Sequence, residues 1–205
     1  MKRVVIASAN PGKLGELTVL LEPMGIDPLP QSMFNVEEAA EPYASFIENA
    51  LAKARNASAK SGLPAIADDS GLCVATLDGR PGVESAYFAG REGTRAERDR
   101  RNNALLVESL RDAKDRSAFY YCVLVLVNSA DDPCPVIADG TWHGEITLQG
   151  RGTRGFGYDA HFLLSWRGLT AAELYTEEKN RVSHRARAMQ ALEAKLSALQ
   201  AHADG

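Results

Sequence analysis

Short β-branched apolar runs alternate with stretches whose apolar residues recur every three or four positions, a pattern that predicts strands alternating with helices. "KRVVIAS" reads as a buried strand, "ANPG" as a turn and "KLGELTVLLEPMG" as a helix. An acidic loop, "NVEEAAEPY", leads to a second helical stretch, "ASFIENALAKARNASAKSG". On a helical wheel Phe46, Ile47, Ala50, Leu51 and Ala54 form one face; Ser45, Glu48, Asn49 and Asn56 form the other, with Lys53 at its margin. "LPAIAD" and "LCVATL" then read as two strands broken by the turn residues "DSG". "GRPGVESAYFAGREG" is a loop and "TRAERDRRNNALLVESLRDA" a charged surface helix. "SAFYYCVLVLVN" and "CPVIADGTWHGEI" form a long hairpin around "SADD". A glycine-rich loop, "GRGTRGFGYDAHFLL", runs into a strand. The last element, "SHRARAMQALEAKLSALQ", is an amphipathic helix with apolar positions at Ala186, Met189, Leu192, Leu196 and Leu199. Strands and helices alternate first and strands cluster later, so the fold class is α/β with a mixed sheet.

Composition narrows the classes of function. The 205 residues, 45% hydrophobic and 24% charged, suit a single domain over 1–205 with a sizeable core. A net charge of −4 argues against nucleic acid as partner, because tracking phosphates needs a basic surface. No stretch approaches the length of a membrane span, and "MKRVVIASAN" is too short and polar for a signal peptide, so a cytoplasmic location is expected. Three cysteines without metal spacing, Cys73, Cys122 and Cys134, fit a reducing compartment.

Four stretches could carry chemistry. Asp68 and Asp69 stand side by side between two core strands; like charges repel, so either both face water at a turn or something positive belongs there. Oxygen-only ligands at a strand end suit Mg²⁺, and Glu37, Glu38 and Glu41 upstream could add another. "SANPGK", Ser8 to Lys13, is either an ordinary strand-to-helix turn or a cradle for an anion, though its spacing is not that of the Walker loop. "RGFGYDAHF" sets Phe156 and Tyr158 between and beside glycines, followed by Asp159; these either stack on a flat ring or cap the core. In "EEKNRVSHRARA" Ser183 is a good N-cap, yet His184 and Arg185 occupy a first helical turn, where cations are unfavourable unless an anion or carbonyl oxygens must be held.

Taken in order, "SANPGK", "SFIENALAKA", "ADDSGL", "PGVESAYFAG", "GFGYD" and "EKNRVSHRARA" resemble the inosine/xanthosine triphosphate pyrophosphatases over nearly the whole chain. The resemblance implies an elongated two-lobed α/β fold, a central mixed sheet flanked by helices, a cleft between the lobes, and a homodimer. It implies Mg²⁺-dependent hydrolysis of ITP, dITP and XTP to monophosphate and pyrophosphate. Ser8, Ala9, Asn10, Pro11, Gly12 and Lys13 would hold the triphosphate, and Ser70 would contact substrate. Asp69 would bind the metal with Glu41 and accept a proton from the attacking water, with Asp68 beside it; Lys53 would neutralise phosphate. Phe156 would stack on the base, and Gly157, Tyr158, Asp159, Lys179, His184 and Arg185 would complete its pocket. Donors such as Arg185 or His184 aimed at the six-keto oxygen would favour hypoxanthine and xanthine over adenine. Sibling pyrophosphatases of other modified nucleotides, or a nucleotide-binding module without catalysis, are the alternatives. Three departures stand out: "EPYASF" replaces an ETGxTF-like run, Tyr87 replaces an arginine, and Ala160 and His161 replace a proline and an apolar residue.

Overall fold

The computed structural model describes residues 2–37 and 39–203; Glu38, named above as a further oxygen donor, lies outside the described residues. In chain order the elements are β1 (Lys2–Ile6), α1 (Pro11–Leu21), β2 (Ile26–Pro30), α2 (Phe46–Ser61), β3 (Ala65–Val74), α3 (Arg95–Ser109), β4 (Ser117–Val127), β5 (Val136–Ile146), β6 (Phe162–Leu164), β7 (Leu169–Thr170), α4 (Thr176–Val182) and α5 (His184–Ala203). The strands are hydrogen-bonded in the order β2-β1-β3-β4-β5-β6-β7. β1 runs parallel to both β2 and β3, whereas β6 is antiparallel to β5 and β7, so the sheet is mixed as the sequence pattern predicts.

The chain divides into two compact units, each discontinuous in sequence. The first comprises Met1–Asp69, Cys122–Gly140 and His184–Gly205, the second Ser70–Tyr121 and Thr141–Ser183. In the first, Val4 and Ile6 of β1, Leu17 and Leu21 of α1, Ile66 of β3 and Leu124 of β4 bury against Ala188, Met189 and Leu192 of α5. The core of the second is aromatic: the Phe162 ring lies 4.6 Å from Tyr120 and 5.3 Å from Trp142, with Leu106, Leu110, Tyr158 and Leu164 packed into the same cluster.

Several readings of the sequence are corrected. The two strands expected around "DSG" are one, β3, buried along nearly all its length. Asp, Ser and Gly make a turn when water satisfies them; here side-chain cations do so instead, and the backbone stays extended. β2 was missed because Pro28 and Pro30 argue against a strand, and it is tolerated because it is the edge of the sheet. α4 went unseen because its seven residues show no apolar period. On α2 the buried face is Asn49, Ala50, Ala54, Ala57 and Ser58 while Ile47 is exposed, so the face is rotated from the expected one and takes in Asn49. On α5 the expected stripe holds for Ala186, Met189 and Leu192 but has reached solvent by Leu199, which is 55% exposed.

α5 approaches β5 closely at Gly140, where a Cβ would sit 2.3 Å from the His184 carbonyl oxygen and 2.5 Å from the Ala188 nitrogen. Replacing glycine by alanine in an unstrained backbone ordinarily stabilises by roughly 0.4–1 kcal/mol through the unfolded chain. Here overpacking reverses the sign, and Gly140→Ala is expected to cost about 1–3 kcal/mol in urea denaturation. A variant as stable as the parent would contradict this contact.

Candidate active site

Successive residues of a strand point to opposite faces, so Asp68 and Asp69 diverge. Each meets its own set of cations within the first unit. The Asp68 carboxylate, only 1% exposed, accepts from Arg185 Nη2 at 3.0 Å and Nε at 3.3 Å, and pairs with Lys13 Nζ at 3.1 Å. The Arg185 guanidinium also donates to Glu16. Lys13 and Glu16 lie one turn apart on α1 and Arg185 opens α5, so two anions and two cations meet in one buried cluster. The anion that makes cations tolerable at the start of α5 is therefore supplied by the protein itself.

The turn before α1 is fixed by its own side chains. Asn10 is the N-cap; its Oδ1 accepts from the backbone N–H of Gly12 at 3.0 Å and of Lys13 at 3.4 Å, with Pro11 at the first helical position. Ser8 Oγ accepts the Asn10 N–H at 3.2 Å. Three N–H groups that the sequence offered to an anion are thus bonded within the turn, and the Lys13 ammonium is its charged contribution.

On the other side, Lys53 of α2 bridges two carboxylates: its Nζ is 3.0 Å from Asp69 Oδ1 and 3.1 Å from Glu41 Oε1. One turn earlier Asn49 faces the same way. Its Oδ1 accepts the Tyr43 N–H and its Nδ2 donates to the Tyr43 carbonyl, both at 3.1 Å, and Nδ2 lies 3.5 Å from Asp69 Oδ2. Asn49, assigned from sequence to the polar face of α2, is instead 1% exposed and fastens the "EPY" loop that carries Glu41. The departure at Pro42 and Tyr43 leaves Glu41 within reach of the site.

Adjacent carboxylates are driven apart in acidity. Burial alone would raise Asp68, but Lys13 and Arg185 outweigh it and hold that carboxyl well below the usual range. Burial raises Asp69 above its ordinary value, opposed by Lys53 and Lys13. Lys53 is itself raised: burial disfavours its charge, and Asp69, Asp68 and Glu41 more than compensate. The two shifts have opposite signs because Asp68 meets more compensating positive charge than Asp69 does. For a metal, the fit is favourable. Asp69 and Glu41 already converge on one cation, and both are hard oxygen donors. No cluster of three His, Cys, Asp or Glu that could hold a metal ion occurs among the described residues.

The second unit carries the aromatic group. Asp159 Oδ2 accepts from the Phe156 N–H at 3.0 Å and from Lys179 Nζ at 2.7 Å, so it braces its own loop. Gly155 permits this; at φ +77° it is left-handed, and a Cβ there would lie 2.0 Å from Asp159 Oδ2. Tyr158 is a core residue whose hydroxyl donates to the Ser85 carbonyl at 2.8 Å. Phe156 is only half-buried, with Lys179 Nζ 4.9 Å and Arg95 Cζ 5.0 Å from its ring centre. Ser70, half-buried, opens this unit directly after Asp69. The expected base pocket is therefore shared out: Phe156, Gly157, Tyr158, Asp159 and Lys179 belong to the second unit, His184 and Arg185 to the first. At Tyr87, where the resemblance expects arginine, Arg91 and Arg98 approach the ring at 4.2 and 5.4 Å. Sequence reading also missed Asn102, which is buried, accepts the Ala89 N–H at 2.8 Å and donates to the Ala86 carbonyl at 3.1 Å. Its only signal was a paired asparagine inside a helical pattern.

A model of the Ham1 family matches residues 4–195. A dITP/XTP pyrophosphatase of Aromatoleum aromaticum is 58% identical over 195 residues, covering 95% of this chain and 96% of that protein. The dITP/XTP pyrophosphatase of Burkholderia pseudomallei is 58% identical over 194 residues, covering 95% and 93%. Among solved structures, a HAM1 protein from Coxiella burnetii superposes with a TM-score of 0.88 at 43% identity, covering 96% of this chain and 99% of that one.

The buried cluster around Asp68 has a measurable consequence. Removing its charge takes the carboxylate away from both Lys13 and Arg185, so Asp68→Asn is expected to cost about 3–5 kcal/mol in denaturant unfolding. Because Asp68 lies below its ordinary value of 3.8 in the folded protein, its contribution is present above that pH and is lost as pH falls toward the folded value. The variant's melting temperature should accordingly lack that part of the acid decline; identical acid profiles would contradict the pairing.

Proposed function

Because the chain belongs to the Ham1 family, we propose that it is a pyrophosphohydrolase that converts ITP, dITP and XTP to the monophosphate and pyrophosphate, clearing non-canonical purines from the nucleotide pool. The observation that carries the reading at the level of chemistry is the divergent acid pair: Asp68 fixed and ionised, Asp69 raised and bridged by a lysine.

In this reading Asp69 takes the proton from the attacking water. The α-phosphorus gains the hydroxyl, the bond to the bridging oxygen opens, and that oxygen leaves with its electron pair as part of pyrophosphate. Lys13 and Lys53 lie at 3.1 and 3.0 Å from Asp68 and Asp69 and offer positive charge to the phosphates. Asp68, itself held by Arg185, pairs with Lys13 and keeps it in place. Mg²⁺ is the candidate cofactor; Asp69 and Glu41 would hold it. When bound, it supplies charge neutralisation on the phosphates and raises the acidity of water. Phe156, held from below by Asp159, offers the ring on which a purine stacks. No helix among the described residues is long and apolar enough to cross a membrane. The reading includes a homodimer, a cytoplasmic location and a nucleotide rather than nucleic acid as partner.

Two measurements test it. Pyrophosphate release should be seen with ITP, dITP and XTP in the presence of Mg²⁺ and be far weaker with ATP; comparable kcat/KM for ATP and ITP would overturn the substrate assignment. Asp69→Asn should lower kcat by roughly 10²–10⁴ while the protein stays folded. Near-parental turnover in that variant would remove Asp69 from the role of proton acceptor.

A further inference from the structure

α3 reads in sequence as a charged surface helix, yet one stripe of it grips the loop that carries Phe156. Arg95, Asp99 and Asn103 are spaced four apart, which at 3.6 residues per turn keeps them on one face. Asp99 Oδ2 accepts the Gly157 N–H at 3.3 Å, and Asn103 Nδ2 donates to the Gly157 carbonyl at 2.9 Å. Asn103 Nδ2 also donates to the Asp99 carbonyl at 2.7 Å, so the gripping amide is tied to its own helix. Both polar groups of Gly157 are therefore held by α3, while the N–H of the preceding residue, Phe156, is held by Asp159. Gly157 itself is left-handed at φ +61°, a conformation few other residues adopt. With the Phe156 carbonyl also accepting the Asp159 N–H at 3.3 Å, both polar groups of both residues are held, and this fixes the direction in which the Phe156 side chain leaves the backbone. Arg95, from the same stripe, lies 5.0 Å from the Phe156 ring centre and 3.9 Å from Asp99.

We propose that Asp99 and Asn103 are positioning residues for base recognition: by clamping Gly157 they set the Phe156 ring for stacking on a purine, with Arg95 as the cation beside that ring. The inference rests on Phe156 being the stacking residue of the proposed pyrophosphatase, and it adds α3 as a determinant of base binding. In the proposed reaction the bond cleavage is carried by Asp69 and Lys53, and not by this stripe. Loosening it should therefore weaken base binding more than it slows bond cleavage. Losing one hydrogen bond that positions a stacking ring corresponds to a several-fold loss of binding.

The test is steady-state pyrophosphate release from ITP and ATP by the parent, Asn103→Ala, Asp99→Ala, Asp99→Asn and Arg95→Gln. Asn103→Ala and Asp99→Ala should raise KM for ITP roughly five- to tenfold with kcat within about twofold, and weaken ATP by a similar factor because stacking does not depend on the base edge. Asp99→Asn keeps an oxygen acceptor for the Gly157 N–H and should restore KM to near the parental value. Arg95→Gln, at an exposed side chain that will not disturb folding, should raise KM about two- to threefold. Unchanged KM in the Asn103 and Asp99 alanine variants would overturn the proposal. So would a fall in kcat at constant KM, or a failure of Asp99→Asn to restore binding. If Asn103→Ala does not fold, the Asp99 pair and Arg95→Gln decide the matter by the same criteria. A parent protein that releases no pyrophosphate from ITP overturns the functional reading instead, which separates the two failures.

Discussion

Two neighbouring carboxylates on one strand, facing opposite ways and each matched by its own cations, are the constraint from which the rest of the first unit follows. β3 stays extended through "DDSG" with Asp68 bonded to Lys13 and Arg185 and Asp69 bonded to Lys53. The position of α1 is tied to this through Lys13 and Glu16, that of α5 through Arg185, and that of α2 through Lys53. Buried charge is costly when unpaired, so the cluster fixes which helices lie against which face of β3. It also separates roles. The same repulsion that makes "DD" look unstable in sequence becomes, with cations divided unequally, a means of holding one carboxylate ionised and the other readier to accept a proton.

Much of the fold is legible in local pattern, and the exceptions have physical causes. β1, β4 and β5 are long β-branched or aromatic runs, and their reading needs nothing beyond periodicity. β3 was split because the partners that satisfy "DSG" are remote: Arg185 lies 117 residues from Asp68 in sequence. β2 was hidden by two prolines that only an edge strand tolerates. The site was legible by motif in its charged members, Lys13, Lys53, Asp68 and Asp69, which the structure brings together in the first unit. Its asparagines were not. Asn49, Asn102 and Asn103 read as surface polarity on helices, yet each uses its side-chain amide to bond loop backbone. An amide that substitutes for a missing strand partner leaves no periodic signal, because the loop it holds has none.

The two units carry different chemistry. The first concentrates charge around β3, suited to phosphates and proton transfer. The second concentrates rings, from the Tyr120, Trp142 and Phe162 core to the half-buried Phe156, and fixes its loops with Tyr158, Asp159 and the α3 asparagines. Arg185, which the resemblance implies lines the base pocket, donates to Asp68 and Glu16.

The central claim, that the twin acids differ in charge state because their cations differ, is tested most directly by NMR titration of the two side-chain carboxyl carbons in the folded protein. The account expects the Asp68 signal to remain that of a carboxylate below the normal range for such groups, while the Asp69 signal titrates above it. Coincident titration, or Asp68 protonating first, would contradict it.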